Sequence, residues 1–254
     1  MAKRLLFVGG STPTTWMVYN ALIAEFGLFP AVIEEAVPRQ RMLKTRLRKV
    51  GLARLISQIG FVGLIRPLLK IRAKGRLKYL RRDLGLEIVA PISPDIHHVT
   101  SVNSTAFHEL AERLCPDVVV INGTRILSRK TLAKLNAPVI NMHQGITPGY
   151  RGAHGAYWAL TRGDTQNCGV TIHLVDERID TGNIIAQKII APEMQDSFVT
   201  YPHLQTAVAL DDLIAAIRET LAGKLTTKPI SGASMVWYHP GFFEYLGHAW
   251  RGVR

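Results

Sequence analysis

Four short apolar runs, spaced by segments of helical character, limit the folds open to this chain. They are RLLFVGG (4–10), PAVIEEAV (30–37), PDVVVING (116–123) and APVINMH (137–143). Such near-continuous β-branched runs suit strands buried on both faces, which is the environment of a parallel sheet. The intervening segments carry helix-start signals. STPTTWMVYNALIAEF opens on hydroxyl residues and continues at helical spacing, STAFHELAERL has Ser104 as its candidate N-cap, and SRKTLAKL is shorter. The alternation predicts an α/β domain with a mostly parallel sheet and helices on both faces. From residue 165 the pattern changes. CGVTIHLVD and NIIAQKII alternate as paired strands joined by ERIDTG, and YPHLQTAVALDDLIAAIRETLAG predicts a long helix ended by Gly223. Residues 1–225 are read as one domain and 226–254 as an extended tail packed on it.

Charge is uneven along the chain. The formal charge is +12, yet residues 38–83 hold 15 Lys/Arg and a single acid, so this segment is +14 and the rest is −2. Placed at ~100° per residue, Leu52, Leu55, Ile56 and Ile59 share one face, and Phe61, Leu64, Leu68 and Leu69 lie nearly opposite. The switch falls at Gly60 and Gly63, which predicts two short helices with a break between them, apolar inside and basic outside. Three roles remain open for this insert: packing on the domain with solvated charges, resting on an anionic membrane surface, or gripping the phosphates of a substrate. The uncharged run between Arg54 and Arg66 is too short to span a bilayer. The N-terminus has too short an apolar core for a signal peptide. Cys115 and Cys168 lie outside any CxxC motif and read as reduced, buried thiols of a cytoplasmic protein. His97-His98 lacks partners at ligand spacing and reads as a loop, so no metal is expected. The aromatic tail from Trp237 to Trp250 reads as a pin to the core or as a stacking surface for a base or sugar.

The stretch VINMHQGITPGYRGAHGAYWAL (139–160) puts Asn141 and His143 at a strand end, where open α/β sheets collect ligands. Residues i and i+2 of a strand point the same way, so both side chains can face one reacting group. Asn offers an N–H donor to a developing oxyanion, and His carries a proton near neutral pH. The plainer reading is a strand-end pair that caps a turn. Asp176, Glu177 and Asp180 follow in a loop between two strands, and a carboxylate near His143 would orient the ring and raise its pKa.

Taken together, NMHQGITPGYRGAHGAYWAL, GVTIHLVDERIDTG and the upstream INGTRILS resemble the formyltransferases that use 10-formyltetrahydrofolate. That family includes glycinamide ribonucleotide transformylase, the catalytic domain of methionyl-tRNA formyltransferase and the sugar N-formyltransferases. The resemblance covers roughly residues 85–225 and leaves out the insert and the tail. It implies a Rossmann-like formyltransferase fold with a catalytic set of Asn141, His143 and Asp180. It implies a pteridine cleft lined by Arg125, Ile126 and Leu127 and by the loop residues Val175, Asp176, Glu177 and Ile179. On the acceptor side it implies Gln144, Gly145, Tyr150 and Arg151. The mechanism implied is direct attack of a neutral amine on the formyl carbon, with Asn141 and a protonated His143 stabilising the oxyanion and Asp180 keeping His143 charged.

Two departures bear on the acceptor. QGITP stands where many members have a Ser-Leu-Leu-Pro run, with Gly145 in place of the Ser. The first loop, GGSTPTT, lacks the Gly-x-Gly-Ser-Asn phosphate loop and has no dinucleotide fingerprint. Thr12, Thr14 and Thr15 fit a plain strand-to-helix turn, or a helix start that holds a phosphate. A basic insert suits methionyl-tRNA, but residues 224–254 are too few for the second β-barrel domain those enzymes carry. Phosphoribosylglycinamide is disfavoured by the missing loop. An amino sugar, nucleotide-linked and destined for a surface polysaccharide, is the acceptor this reasoning leaves, and nucleic acid is not expected as a partner. The alternative of another class is a non-catalytic binding protein on the same fold.

Overall fold

The structure, a computed structural model, describes residues 4–93 and 95–254, so the expectation for the first three residues lies outside it. The strands of the main sheet are β1 (Leu5–Gly10), β2 (Ala31–Glu34), β3 (Ile96–Val99), β4 (Val118–Asn122) and β5 (Val139–His143), followed after the two-residue β6 (Arg151–Gly152) by β7 (Gly169–Leu174) and β8 (Ile184–Ile189). The sheet order is β3-β2-β1-β4-β5-β7-β8. The first five run parallel; β7 pairs antiparallel with β5, and β8 pairs antiparallel with β7, so β7 alone runs against the rest. The mostly parallel α/β reading therefore holds. His97 and His98 fall in β3 at the sheet edge rather than in a loop, because pairing with β2 supplies backbone partners that IHHV does not advertise by itself.

Helix α1 (Pro13–Phe26) is capped by Thr12, whose hydroxyl accepts from the Thr15 amide at 3.3 Å. The Thr12, Thr14 and Thr15 hydroxyls bond one another, as in a plain strand-to-helix turn. Counting the four helices of the basic segment described below, the helices after β3 are α6 (Thr105–Leu114), α7 (Arg129–Leu135), α8 (Gly155–Thr161) and α9 (Tyr201–Ala222). Helices α1 and α9 cover one face of the sheet, over Phe7, Tyr19, Leu22, Leu213 and Ile217. Helices α6 and α7 cover the other, over Val8, Phe107, Leu110 and Val119. Ser104 caps α6 as expected, accepting from the Phe107 amide at 3.2 Å. Both thiols are free; Cys168 is buried, which pushes its thiol up to about 12, but Cys115 is exposed at the left-handed end of α6.

The insert departs from expectation. After α2 (Arg39–Val50), helix runs without a break from Leu52 to Arg72: α3 (Leu52–Gly60), a π-turn at Phe61–Ile65 and α4 (Arg66–Arg72). Helix α5 (Lys74–Asp83) follows. Glycine inside a helix costs only about 1 kcal/mol. Burying Phe61, fully enclosed with its ring 4.9 Å from Phe198 and 5.0 Å from Tyr245, offsets that at about 2–3 kcal/mol. Gln58 donates to the His239 carbonyl (2.7 Å), and Arg76 forks onto the buried Asp196 with two bonds of 2.9 Å. One side of the insert is thus packed on the domain. The tail also differs from an extended wrap. It contributes β9 (Val236–Trp237), paired in parallel with β6, and helix α10 (Phe242–Trp250), which packs on α3.

Candidate active site

Strand β5 delivers Asn141 and His143 to the same side of the sheet, with Met142 buried on the other. Across the antiparallel ladder, His173 of β7 stands directly opposite Asn141. The loop from β7 to β8 brings in Asp180, which holds a left-handed backbone at φ 50°. Asp tolerates this region better than most residues, and such positions gather at functional sites. The motif around it is structural. Thr181 donates its hydroxyl to both Asp176 oxygens (2.7 and 2.8 Å), and the Arg178 amide donates to one of them (3.0 Å). Gly182 passes so close to β7 that a Cβ there would sit 1.7 Å from the Leu174 carbonyl oxygen. The Asp-Thr-Gly sequence therefore sets the loop that aims Asp180.

Four side chains converge. Asp180 Oδ2 lies 3.4 Å from His143 Nδ1 and accepts the Gly152 amide at 3.0 Å. The Asn141 amide nitrogen lies 3.1 Å from His173 Nε2 and 3.4 Å from Asp180 Oδ1. The Leu174 carbonyl can only accept, so His173 carries its proton on Nδ1 (2.7 Å), and its Nε2 accepts from Asn141. By the same reasoning His143 Nε2–H donates to the Tyr150 carbonyl at 2.8 Å. His173 is a site residue beyond those expected from the sequence; its signal within VTIHLVD is its place on a strand next to the site.

The electrostatics correct one expectation. Burial lowers the pKa of His143, and this outweighs the upward pull of Asp180 and the Tyr150 carbonyl; His173 and Arg151 push it down further. The ring is therefore neutral near pH 7 rather than held charged. Burial alone would raise Asp180, but His143, His173 and the Gly152 amide hold it at about 2. The pair at neutral pH is a carboxylate facing an imidazole lone pair at Nδ1, a proton-accepting arrangement.

These groups line a cavity of about 490 Å³ together with Asn122, Arg125, Ile126, Leu127, Val175 and Ile179. Ile126 is exposed toward solvent, and the buried Asn122 Oδ1 has no partner among the described residues. Arg125 lines the wall, but its guanidinium is engaged by the carbonyls of Thr100 and Glu35 (2.8 Å each), and Glu34 accepts its backbone amide at 2.8 Å. Asp176 and Gln144 also line this cavity. Glu177 is not among its lining residues; its carboxylate pairs with Arg129. Tyr150 is buried, its hydroxyl donating to Asp164 at 2.7 Å and its ring stacking on Trp237, and what it offers the site is its carbonyl. Arg151 faces a separate hollow beside Asp176 and Arg178. Trp237 and Tyr238 of the tail line the cleft, in line with the stacking alternative for the aromatic tail, and so does His154, which was not singled out. His154 Nε2 lies 2.9 Å from His239 Nδ1, and burial lowers the pKa of both rings.

Gly145 serves the site through close approach. A Cβ there would meet the Tyr150 carbonyl oxygen at 2.1 Å and His143 Nε2 at 2.8 Å. Gly145→Ala is expected to cost about 1–3 kcal/mol in stability, since the nearest obstacle is backbone. It should also displace the acceptor of the His143 proton, so kcat falls more than KM rises. Urea denaturation and steady-state kinetics check this; an unchanged midpoint would show that the loop relaxes freely.

A family model described as formyl transferase matches residues 72–204, beginning inside the basic segment. Methionyl-tRNA formyltransferase of Chlorobium chlorochromatii is 29% identical over 134 residues, which is 53% of this chain and 42% of that protein. The chain spans about half the length of the curated relatives it matches. A sugar N-formyltransferase structure from Shewanella superposes with a TM-score of 0.58 at 14% identity, covering 92% of this chain and 76% of that one. An N-formyltransferase from Helicobacter canadensis, in complex with folinic acid and dTDP-3-aminofucose, gives 0.51 at 14% identity, covering 93% and 71%.

Proposed function

This chain belongs to the formyl transferase family, and from that premise we propose that it moves a formyl group from 10-formyltetrahydrofolate to the primary amine of a nucleotide-linked amino sugar. The cleft suits the donor. Ile126, Leu127, Val175 and Ile179 form an apolar wall, and the unpartnered Asn122 Oδ1 is ready to accept from a ring N–H. The donor supplies the formyl carbon as an electrophile. The protein's part is to position charge and take a proton. The longer of the two Asn141 amide contacts, 3.4 Å to Asp180, is the one an oxyanion would capture. His143 Nδ1 accepts the amine proton. The resulting imidazolium lies between the Asp180 carboxylate and the Tyr150 carbonyl, both acceptors, and would return the proton to the departing donor nitrogen as the formyl carbon–nitrogen bond to the donor breaks.

The observation that carries the acceptor reading is a second cavity, also about 490 Å³, that shares Lys49, Arg125, Ala153 and Tyr238 with the first. Arg41, Arg46 and Lys49 from α2 line it, and none has an ion-pair partner among the described residues. A diphosphate there would leave the sugar amine directed at Asn141, His143 and Asp180. The Helicobacter protein's complex with an amino-sugar nucleotide supports this choice. Methionyl-tRNA is the second reading, favoured by its prominence among sequence relatives and by the +14 segment. The two free thiols suit a reducing, cytoplasmic setting.

Mass spectrometry of products from amino-sugar nucleotides, phosphoribosylglycinamide and methionyl-tRNA, each with the formyl donor, tests the proposal. A formyl adduct on an amino-sugar nucleotide is expected. Arg46→Ala with Lys49→Ala should raise the acceptor KM by about 10–100-fold with kcat nearly unchanged. Turnover on tRNA alone would overturn the acceptor, and turnover on none would favour a binding protein.

A further inference from the structure

We propose that the Leu52–Arg72 helix, with α10 beside it, is a docking face that lies flat on an anionic lipid surface. Leu52, Ile56, Ile59, Leu64, Leu68 and Ile71 are each between 50% and 71% exposed. On an uninterrupted helix they would not form one stripe, because the last three would sit about a third of a turn away from the first three. The π-turn at Phe61–Ile65 adds one residue to a turn and sets everything after it back by roughly 100°. With that correction all six fall within about a quarter of the circumference. The opposite side, Leu55, Gln58, Phe61 and Leu69, is buried in the body of the protein. The π-turn therefore does two things at once: it keeps the inner face packed and aligns the outer apolar residues.

Helix α10 adds exposed apolar side chains beside this helix. It packs on α3 and on the π-turn, and it presents Phe243 at 78% and Trp250 at 93% exposure. An exposed Trp beside an apolar stripe is the pattern of an interfacial anchor.

Charge identifies the occupant. Arg48, Lys49, Lys70, Arg72 and Lys74 are all exposed in the same segment and carry no ion pair among the described residues. A second copy of this chain would bring a second +14 segment against the first, so self-association is opposed by repulsion. Anionic headgroups complement it. The 21 residues of Leu52–Arg72 are long and apolar enough to cross a membrane, with an 18-residue stretch of mean hydropathy 1.4. Crossing would require withdrawing Phe61 and Leu69 from the core and breaking the Gln58 and Ser57 bonds to the tail, to the His239 carbonyl (2.7 Å) and from the Phe242 amide (2.9 Å). The fold holds the helix edge-on, as a surface-lying element.

Sedimentation of the full chain with phosphatidylcholine vesicles, and with vesicles carrying roughly 30% phosphatidylglycerol, tests this. Binding is expected only with the anionic vesicles, weakening as salt rises. Leu64→Glu with Leu68→Glu changes two exposed positions and should lower the bound fraction about tenfold or more, with circular dichroism and Tm unchanged. No sedimentation with anionic vesicles would overturn the proposal. So would full binding by the double variant, or light scattering that shows a dimer which the double variant turns into a monomer. None of these readouts depends on formyl transfer, so their failure is separable from failure of the proposed reaction.

Discussion

Asp180→Asn is expected to lower kcat by about 10²–10³-fold with the fold intact. Asn fits the space and tolerates the left-handed backbone at this position, so the φ of 50° is no obstacle. The chemistry is another matter. Asp180 accepts from the Gly152 amide at 3.0 Å, faces His143 Nδ1 at 3.4 Å and takes a long contact from Asn141. An Asn amide would offer a donor to at least one of those donors, and it would remove the charge that stabilises the imidazolium. The proton acceptor then weakens just when the amine must lose its proton. Asn141→Ala should fall in the same range by deleting the oxyanion donor. Single-turnover kinetics with circular dichroism checks both. Near-normal rates in both folded variants would place the chemistry elsewhere in the cleft.

Acidification is expected to destabilise the protein steeply between about pH 6.5 and pH 4. Burial lowers the pKa of His203 and of His239 to about 4, in each case with added repulsion from arginine. His143 and His154 are lowered too, again by burial first. The sign is fixed by linkage. Below the unfolded value of ~6.5 the unfolded chain binds protons that the folded chain refuses, so stability falls with pH until the folded values are reached. His203 and His239 each represent a loss on the order of 2–3 kcal/mol across that window. Asp180 acts lower, its contribution being lost only as pH falls from ~3.9 toward about 2. The urea midpoint should drop from pH 7 to pH 4.5, and His203→Leu should flatten the drop. Neither His203 ring nitrogen has a hydrogen-bond partner among the described residues to lose. A midpoint independent of pH over that range would mean these rings are hydrated in the folded state.

Several elements were legible in local pattern. The β-branched runs placed β1, β2, β4 and β5, and hydroxyl residues marked the starts of α1, α6 and α7. Asn141 and His143 could be put on one side of a strand because the strand period is two. The loop carrying Asp180 was found, but its distance to His143 was not, since that depends on β7 lying antiparallel beside β5. Edge strand β3 and helix α10 escaped because neither has a strong period of its own; each is formed by what it packs against.

What the sequence determined by itself is therefore everything that repeats over a few residues: element type, caps, the two-residue spacing of Asn141 and His143, and the charge of the insert. Tertiary structure alone decided the protonation of His143, the engagement of Arg125, Glu177 and Tyr150 away from the cleft, and the π-turn that joins two apolar faces of one helix. The physical reason is that these depend on burial and on partners distant in the chain. Desolvation of an imidazole such as His203, or enclosure of Phe61 by Phe198 and Tyr245, is worth about 2–3 kcal/mol, while the local preference of a glycine is about one.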